Sequence, residues 1–321
     1  MSSERSPSET TRAVRFHEYG EPAEVLRLDR LAVAGPPPGR VRVAVHACGL
    51  NPADWALCRG LAAGLLPRGI GLEVSGVVDA VGAGVEDVGV GDLVLGTPDW
   101  SRGPSAGAAD VAILEHWARV PPGLDLVRAA ALPMAAETAH RSLDCLGVGP
   151  GRLVLIHGAG TTVGFAAVQL ARMRGARVVA TAGETYAGRL REFGAAVTAY
   201  GDGMVERVRD LAAGPPDLIL DAAAPGGVLP DLIRIAGGDP GRVLTIADFA
   251  AARQLGVRDN GGPLRYDLLG AFARWVAEGR LDVPIARTFA LDDWERARQV
   301  SEGGHARGKL VLLPGGSAGG V

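Results

Sequence analysis

A glycine-rich turn lies between an apolar run and a helical pattern, and its spacing suits a phosphorylated ligand. Residues 153–156 favour a strand, and residues 165–173 repeat apolar side chains with the period of a helix. The turn between them has the spacing Gly158-x-Gly160-x-x-x-Gly164. Glycines let a backbone approach a diphosphate, and a helix N-terminus presents free N–H groups and a positive dipole end to it.

We therefore predict that this turn binds a dinucleotide. The predicted binding residues are Gly158, Gly160, Thr161, Thr162, Val163 and Gly164. The β-branched pair Thr161-Thr162 stiffens the turn, which puts the affinity in question. An ordinary strand-to-helix turn with glycines for packing is the alternative.

The first part of the chain predicts β structure. Short β-rich runs alternate with turns over residues 13–120, most clearly at 41–46, 71–82 and 90–95. Glycines inside such runs predict bulges and sharp bends, as in a coiled, barrel-like β domain. Alanine-rich helical patterns then extend over residues 126–146.

The second part predicts alternating strands and helices. Strands are expected at residues 178–181, 196–200, 217–221 and 242–246, with helices between them, such as Met204–Ala212. This order implies a parallel sheet with right-handed crossovers. A long helix over 268–278 and a strand–helix–strand pattern over 283–313 complete the chain. The fold class is therefore α/β.

Composition limits the function classes. The 321 residues suffice for one large or two medium domains, and the net charge of −3 gives no reason to propose nucleic acid or a membrane as partner. Cys48, Cys58 and Cys145 have no metal-site or disulfide spacing. We expect a cytoplasmic protein with no signal peptide and with disordered tails at residues 1–11 and 315–321.

The chain resembles the medium-chain dehydrogenase/reductase superfamily, in particular its zinc-free quinone oxidoreductase branch. The resemblance covers nearly the whole sequence. It rests on the central turn and on Gly49-Leu50-Asn51-Pro52-Ala53-Asp54-Trp55, Gly71-Leu72-Glu73-Val74-Ser75-Gly76-Val77-Val78, Gly91-Asp92, Ala131-Leu132-Pro133 and Gly308-Lys309-Leu310-Val311-Leu312. It implies a GroES-like β catalytic domain (residues 1–133 and 277–321) and a Rossmann nucleotide-binding domain with a doubly wound parallel sheet (134–276).

The same resemblance implies that no zinc is bound. Zinc alcohol dehydrogenases carry a cysteine ligand where this chain has Asn51, and Gly-His-Glu where it has Gly71-Leu72-Glu73. Leucine cannot bind a metal, and a neutral amide is a poor substitute for a thiolate on Zn²⁺. Without a Lewis acid, the electrophile must accept hydride unaided, which favours quinones and conjugated enones over simple ketones.

The resemblance implies an NAD(P)H-dependent oxidoreductase that transfers hydride to a quinone or conjugated enone. One alternative is an enoyl reductase acting on a polyketide or other secondary-metabolite intermediate. Another, from a different class, is a non-catalytic protein that binds the cofactor without turnover. A homodimer, formed through an edge strand near residues 242–246, is also expected.

Three residues are the catalytic candidates. Asn51 falls where the family places a residue near the nicotinamide, so its amide is expected to contact the substrate carbonyl or the cofactor; a turn residue before Pro52 is the alternative. Asp54 would orient Asn51 or a water, or cap a helix. Trp55 would line an aromatic substrate slot or lie in the core.

Five further residues are cofactor-binding candidates. Thr138 and Tyr200 match family residues beside the nicotinamide and near the adenosine 2′ position. Gly183 and Glu184 follow the second strand, where charge selects between NAD and NADP. Small residues at that strand end leave room for a phosphate, so we expect NADPH. Glu184 would oppose the phosphate charge; the alternative is that Glu184 is an N-terminal helix acid favoured by the dipole. Lys309 would lie near the cofactor, or be a charge at a strand edge.

Overall fold

The computed structural model describes residues 10–100, 106–304 and 306–315. The chain divides into two compact units. The β unit comprises Met1–Met134, Tyr266–Ala277 and Ile285–Val321, and the α/β unit comprises Ala135–Arg265 and Glu278–Pro284. Most of the two tails predicted to be disordered lies outside the described residues.

The strands, in chain order, are β1 (Thr10–Phe16), β2 (Leu26–Ala32), β3 (Val41–Leu50), β4 (Arg68–Gly69), β5 (Glu73–Val81), β6 (Leu93–Pro98), β7 (Val111–Arg119), β8 (Leu153–His157), β9 (Arg177–Thr181), β10 (Ala196–Thr198), β11 (Leu218–Asp221), β12 (Val243–Thr245), β13 (Arg258–Asp259), β14 (Ile285–Ala290) and β15 (Lys309–Leu313). The α-helices are α1 (Pro22–Val25), α2 (Pro52–Cys58), α3 (Leu126–Ala130), α4 (Pro133–Leu146), α5 (Thr162–Met173), α6 (Glu184–Glu192), α7 (Met204–Ala212), α8 (Leu229–Ile235), α9 (Phe249–Leu255), α10 (Leu269–Ala277) and α11 (Trp294–Glu302). Short 3₁₀ turns occur at Pro240–Arg242, Tyr266–Leu268 and Leu291–Asp293.

The β unit is built around the long strand β3. Its six-stranded sheet has the order β14-β15-β3-β5-β6-β7, and β7 also pairs with β3, so that β3, β5, β6 and β7 close on themselves. The core includes Phe16, Val43 and Trp294. The predicted barrel-like β domain is confirmed, and the end of β3 leads directly into α2 through Asn51.

The α/β unit contains one parallel sheet. Its strand order is β10-β9-β8-β11-β12-β13. Counted from β8 as the first strand of the unit, this is the 3-2-1-4-5-6 order of dinucleotide-binding folds. The predicted Rossmann topology is confirmed, and the carboxyl end of β8 opens into the glycine turn at the centre of the sheet.

The helical patterns predicted over 126–146 form two helices, α3 and α4, because a residue before proline is disfavoured in the α region and Leu132 precedes Pro133. One local expectation was wrong. The strand near 242–246 is not an edge: β12 pairs on its outer side with β13, through Leu244 with Arg258 and Thr245 with Asp259. Within the described residues, no helix is both long enough and apolar enough to span a bilayer.

Candidate functional site

Asn51 and Asp54 form the start of helix α2. Asn51 is the N-cap residue, and Pro52 supplies the fixed φ that suits the first helical position. The Asp54 carboxylate accepts the Asn51 backbone N–H at 2.7 Å and the Gly71 backbone N–H at 2.6 Å. Asp54 therefore caps the helix and fixes the loop that carries Asn51.

Asp54 is completely buried, and this changes its acidity. Burial raises the pKa of Asp54 to about 7, although the two backbone N–H groups favour the charged form and lower the pKa. The carboxyl group therefore titrates near neutral pH beside Asn51.

The side chain of Asn51 belongs to a buried polar cluster, which we call the Asn51 cluster: Asn51, Glu73 and Lys309. The Lys309 ammonium donates to Asn51 Oδ1 at 2.6 Å and to Glu73 Oε1 at 2.5 Å. Asn51 Nδ2 donates to the same Glu73 oxygen at 2.9 Å. Glu73 is 0% exposed, Lys309 1% and Asn51 9%, so Asn51 is the least buried member of the cluster.

Two backbone features complete the Asn51 cluster. The Met134 backbone N–H donates to Glu73 Oε2 at 2.8 Å. A Cβ at Gly49 would lie 2.5 Å from Glu73 Oε1, so only glycine leaves room for the carboxylate there. The Glu73 carboxylate is thus satisfied on both oxygens, as a buried charge requires. Sequence reasoning missed this role of Glu73, which it treated only as part of a motif.

Trp55 and Cys48 lie in the core of the β unit. The Trp55 side chain is buried and its indole N–H donates to the Ser301 hydroxyl at 2.8 Å. Cys48 is completely buried, and its burial raises the thiol pKa well above the usual value. Burial and the bond to Ser301 are what a core tryptophan needs. The role of Trp55 in lining a substrate slot stays a prediction.

The donor set at the Asn51 cluster does not suit zinc. A zinc site needs about four donors drawn from thiolate, imidazole and carboxylate. Asn51 and Leu72 offer neither thiolate nor imidazole, and the Glu73 carboxylate is already bound to Lys309 and Met134. Across the part of the chain that the structure describes, no three His, Cys, Asp or Glu side chains group as metal ligands.

The glycine turn of the α/β unit has the geometry of a phosphate-binding turn. Gly158 has φ +73°, and a Cβ there would lie 2.6 Å from the Ala223 backbone nitrogen; one at Gly164 would lie 2.2 Å from the Gly158 carbonyl oxygen. Both positions therefore need glycine for protein packing. Gly160 differs, since a Cβ there would meet only Tyr186, at 3.8 Å. Space beside Gly160 is open for a ligand to approach the backbone.

Thr161 is the N-cap of helix α5. Its hydroxyl accepts the Gly164 N–H at 3.0 Å and donates to the Ala222 carbonyl at 3.1 Å. Thr162 and Val163 begin the helix, where first-turn N–H groups have no partner within the helix. The turn therefore keeps donors for a diphosphate, and the β-branched pair is explained in part by capping.

Polar residues occupy the carboxyl ends of the parallel strands. His157 and Asp221 are register neighbours on β8 and β11. His157 Nδ1 lies 2.8 Å from the Thr181 hydroxyl, and burial lowers the pKa of His157 to about 4. Asp221 accepts the Thr245 hydroxyl at 2.9 Å, and burial raises its pKa to about 6. These groups lie at the edge where ligands bind in such sheets.

A cleft of about 410 Å³ lies beside the end of the second strand of this sheet. It is lined by Ala182, Gly183, Glu184, Ala187, Arg191, Val197, Thr198, Ala199 and Tyr200. The structure thus brings the predicted residues Gly183, Glu184 and Tyr200 together. It adds Arg191, whose exposed guanidinium has no hydrogen-bond or ion-pair partner among the described residues.

Two other arginines near this cleft are occupied. Arg189 pairs with Asp282 at 3.0 Å and lies over the Phe165 ring. Arg207 donates to the Thr198 hydroxyl at 3.1 Å and to the carbonyls of Asp202 and Ala199 at 2.6 and 3.1 Å. Arg207 therefore holds the loop that carries Tyr200. Among the described residues that line the cleft, Arg191 is the cation available to a ligand.

The remaining predicted residue, Thr138, lies within helix α4. Its carbonyl accepts the Ser142 hydroxyl at 2.7 Å, one helical turn away. This contact belongs to the helix and neither supports nor opposes a role in binding.

Two family models match the chain. One is described as "Alcohol dehydrogenase GroES-like domain" and matches residues 37–115; the other, "Zinc-binding dehydrogenase", matches residues 193–312. The first match lies within the β unit.

Relatives and solved structures agree with these matches. A polyketide synthase protein of the spectinabilin system, NorB from Streptomyces orinoci, is 33% identical over 86% of this chain and 13% of its own length. A quinone oxidoreductase from Pongo abelii is 39% identical over 54% of this chain and 53% of its own length. The chain thus spans about half, or far less, of these curated relatives.

A crystal structure described as an NAD-dependent alcohol dehydrogenase has a TM-score of 0.81 and 30% identity, over 95% of this chain and 100% of that one. The sheet order, the glycine turn and these likenesses point to one family. The chain belongs to the medium-chain dehydrogenase/reductase superfamily.

Proposed function

We propose that the protein is an NAD(P)H-dependent oxidoreductase that reduces a quinone or a conjugated enone without a metal ion. The observation that carries the proposal is the Asn51 cluster, in which the Asn51 amide is bound to Lys309 and Glu73. The family resemblance supports it, since it aligns Asn51 with a metal ligand of zinc dehydrogenases. Quinones and enones suit such a site, because the charge that arrives with hydride spreads to an oxygen that a hydrogen-bond donor stabilises.

The chain's own residues would bind the coenzyme, orient the substrate and stabilise the charge that develops on it. The open space at Gly160 and the first-turn N–H groups of α5 suit the diphosphate of a dinucleotide. When bound, the reduced coenzyme supplies the hydride. The Asn51 amide would donate to the substrate oxygen on which negative charge develops, and solvent would supply the proton.

We propose NADPH as the preferred coenzyme. The cleft at Gly183 is lined by the Arg191 guanidinium, which has no partner among the residues that the structure describes, together with the Tyr200 phenol and the Thr198 hydroxyl. These groups suit a phosphate on the adenosine ribose. Glu184 lies in the same cleft and opposes that charge.

An enoyl reductase of secondary metabolism is the second candidate. The likeness to NorB extends over 86% of this chain and favours it. Both candidates share the hydride chemistry and differ in the carbon skeleton that the site would accept.

The test is turnover by the purified protein with NADPH or NADH and a panel of quinones, cyclic enones and enoyl thioesters. We expect coenzyme oxidation with at least one acceptor, and a loss of about 10²-fold in kcat for Asn51→Ala. A thermal-shift comparison of the four coenzyme forms measures binding separately. Coenzyme binding without turnover of any acceptor would contradict the proposal and favour the non-catalytic alternative.

A further inference from the structure

We infer that Lys309 is a positioning residue that fixes the Asn51 amide as a hydrogen-bond donor toward the substrate's carbonyl oxygen. The inference rests on the proposed function and specifies that the site offers the substrate a hydrogen-bond donor. It assigns Lys309 a task in the β unit, away from direct contact with the substrate.

The hydrogen-bond partners of Asn51 determine where its amide oxygen and its amide nitrogen lie. An ammonium can only donate a hydrogen bond, and a carboxylate can only accept one. The oxygen of Asn51 must therefore face Lys309, at 2.6 Å, and its nitrogen must face Glu73, at 2.9 Å. A flipped amide would place donor against donor and acceptor against acceptor.

This orientation leaves one N–H group free. The amide nitrogen carries two N–H bonds, and only the one to Glu73 has a partner among the described residues. Asn51 is also the one member of the cluster that is 9% exposed, while Glu73 and Lys309 are buried. The amide oxygen faces the buried Lys309, so the group that the inference offers to a substrate is the free N–H, a donor.

The cation on Oδ1 strengthens that donor. Hydrogen bonds in a chain polarise one another, and a buried setting increases the effect. The Lys309 ammonium draws electron density toward Oδ1 and makes the free N–H a better donor. A carbonyl oxygen that gains negative charge during reduction benefits most, so the effect belongs to the reaction step more than to binding.

The composition is consistent with a specific need for lysine. Lys309 is the one lysine among 33 basic residues, and all the others are arginine. A guanidinium is a broad planar fork, whereas an ammonium is a compact point charge. The space beside Glu73 Oε1 and Asn51 Oδ1 holds the compact group.

The kinetic test uses Lys309→Met, Asn51→Ala and their combination, with NADPH and 2-cyclohexen-1-one or the best acceptor of the panel. We expect Lys309→Met to lower kcat about tenfold, with KM and the NADPH Kd within about twofold of the wild type. The double variant should be no slower than Asn51→Ala alone, since Lys309 acts through Asn51. Independent, multiplicative losses would overturn the inference.

Two further variants separate this effect from folding. Arg42→Met breaks the ion pair between Arg42 on β3 and Asp79 on β5, outside the cluster, and should leave kcat unchanged. If Lys309→Met leaves Glu73 unpaired and fails to fold, Glu73→Gln with Lys309→Met removes both charges together. That folded double variant should still show the loss in kcat, and wild-type kcat in it would contradict the inference.

A readout without turnover completes the test. The chain has two asparagines, Asn51 and Asn260, so ¹⁵N-asparagine labelling gives two side-chain amide pairs in an NMR spectrum. Lys309→Met should move the Asn51 pair and leave that of Asn260. NADP⁺ with 2-cyclohexen-1-one should shift one Asn51 amide proton downfield in the wild type, and no shift would overturn the inference. These shifts without turnover would refute the proposed function alone, whereas turnover without them would refute the inference alone.

Discussion

Two buried carboxyl groups are the positions where we expect stability to respond to pH. Asp54 and Asp221 lie in different units, and burial raises the pKa of each, to about 7 and about 6. Asp54 accepts two backbone N–H groups, one on each oxygen. An asparagine there would therefore point its NH₂ group at one of these N–H donors. Asp221 accepts one N–H and one hydroxyl, so an amide there can keep the bond from the Ala223 N–H through its oxygen. Asp221 is therefore the position where charge can be removed with the smaller loss of hydrogen bonds.

We predict that Asp221→Asn stabilises the protein at pH 7 and not at pH 4. With its pKa raised to about 6, folded Asp221 holds a proton that the unfolded chain releases near pH 4. Wild-type stability therefore falls as the pH rises from about 4 to about 6, and asparagine removes that loss, worth about 3 kcal/mol at most. Urea unfolding across this range measures it, with the exposed Asp202→Asn as control. Parallel curves for wild type and Asp221→Asn would contradict the prediction.

Arg191 determines coenzyme preference in our proposal, and Arg189 on the same helix provides a matched control. Arg191→Ala should raise the NADPH Kd about tenfold and leave the NADH Kd within about twofold, because only NADPH carries the extra phosphate. Arg189→Ala should not change the preference, since its guanidinium is bound to Asp282. Calorimetric titration with both coenzymes measures this. Equal losses for both coenzymes with Arg191→Ala would place Arg191 outside the phosphate site.

At the scale of elements, the glycine turn separates residues needed for the fold from a residue available to a ligand. Gly158 and Gly164 contact protein backbone where a Cβ would lie, and Gly160 does not. The sequence motif predicted the same cofactor-binding role for all three glycines. Only the positions of Ala223 and of the Gly158 carbonyl, which depend on how β11 and α5 pack on β8, distinguish them.

The turn gives a paired prediction. Gly160→Ala should unfold at nearly the wild-type temperature but raise the coenzyme Kd about tenfold, because a methyl group takes the space left for the diphosphate. Gly158→Ala should lose about 1–3 kcal/mol of stability, since its φ is +73° and its Cβ would meet Ala223. Thermal unfolding and calorimetry measure both. Coenzyme affinity unchanged in Gly160→Ala would argue that the diphosphate lies elsewhere.

The candidate site was predictable in part. Motifs in the local sequence identified Asn51, Asp54, Lys309 and the turn. The contacts of Lys309 with Asn51 and Glu73 could not be predicted, since they join residues 258 and 236 positions apart. Arg191 carries no local signal at all: an arginine on a polar helix face is identified only by the cleft that it lines.

At the scale of the whole molecule, patterns of several residues each predicted two architectures. Glycines within β-rich runs predicted a barrel-like β unit, and alternation of strands and helices predicted a parallel sheet. The strand order 3-2-1-4-5-6 is seen only in the structure. The outermost strand, β13, has two residues and no recognisable pattern, so β12 was wrongly taken for the edge. The homodimer stays a prediction, and pairing through the sheet would now use Arg258–Asp259.

The burial of Lys309 has a practical consequence. It is the one side-chain amine of the chain, and it is 1% exposed. An acylating reagent can modify it only in molecules whose β unit has opened locally or globally, so the rate of Lys309 acylation, read by peptide mass, reports that opening free energy directly.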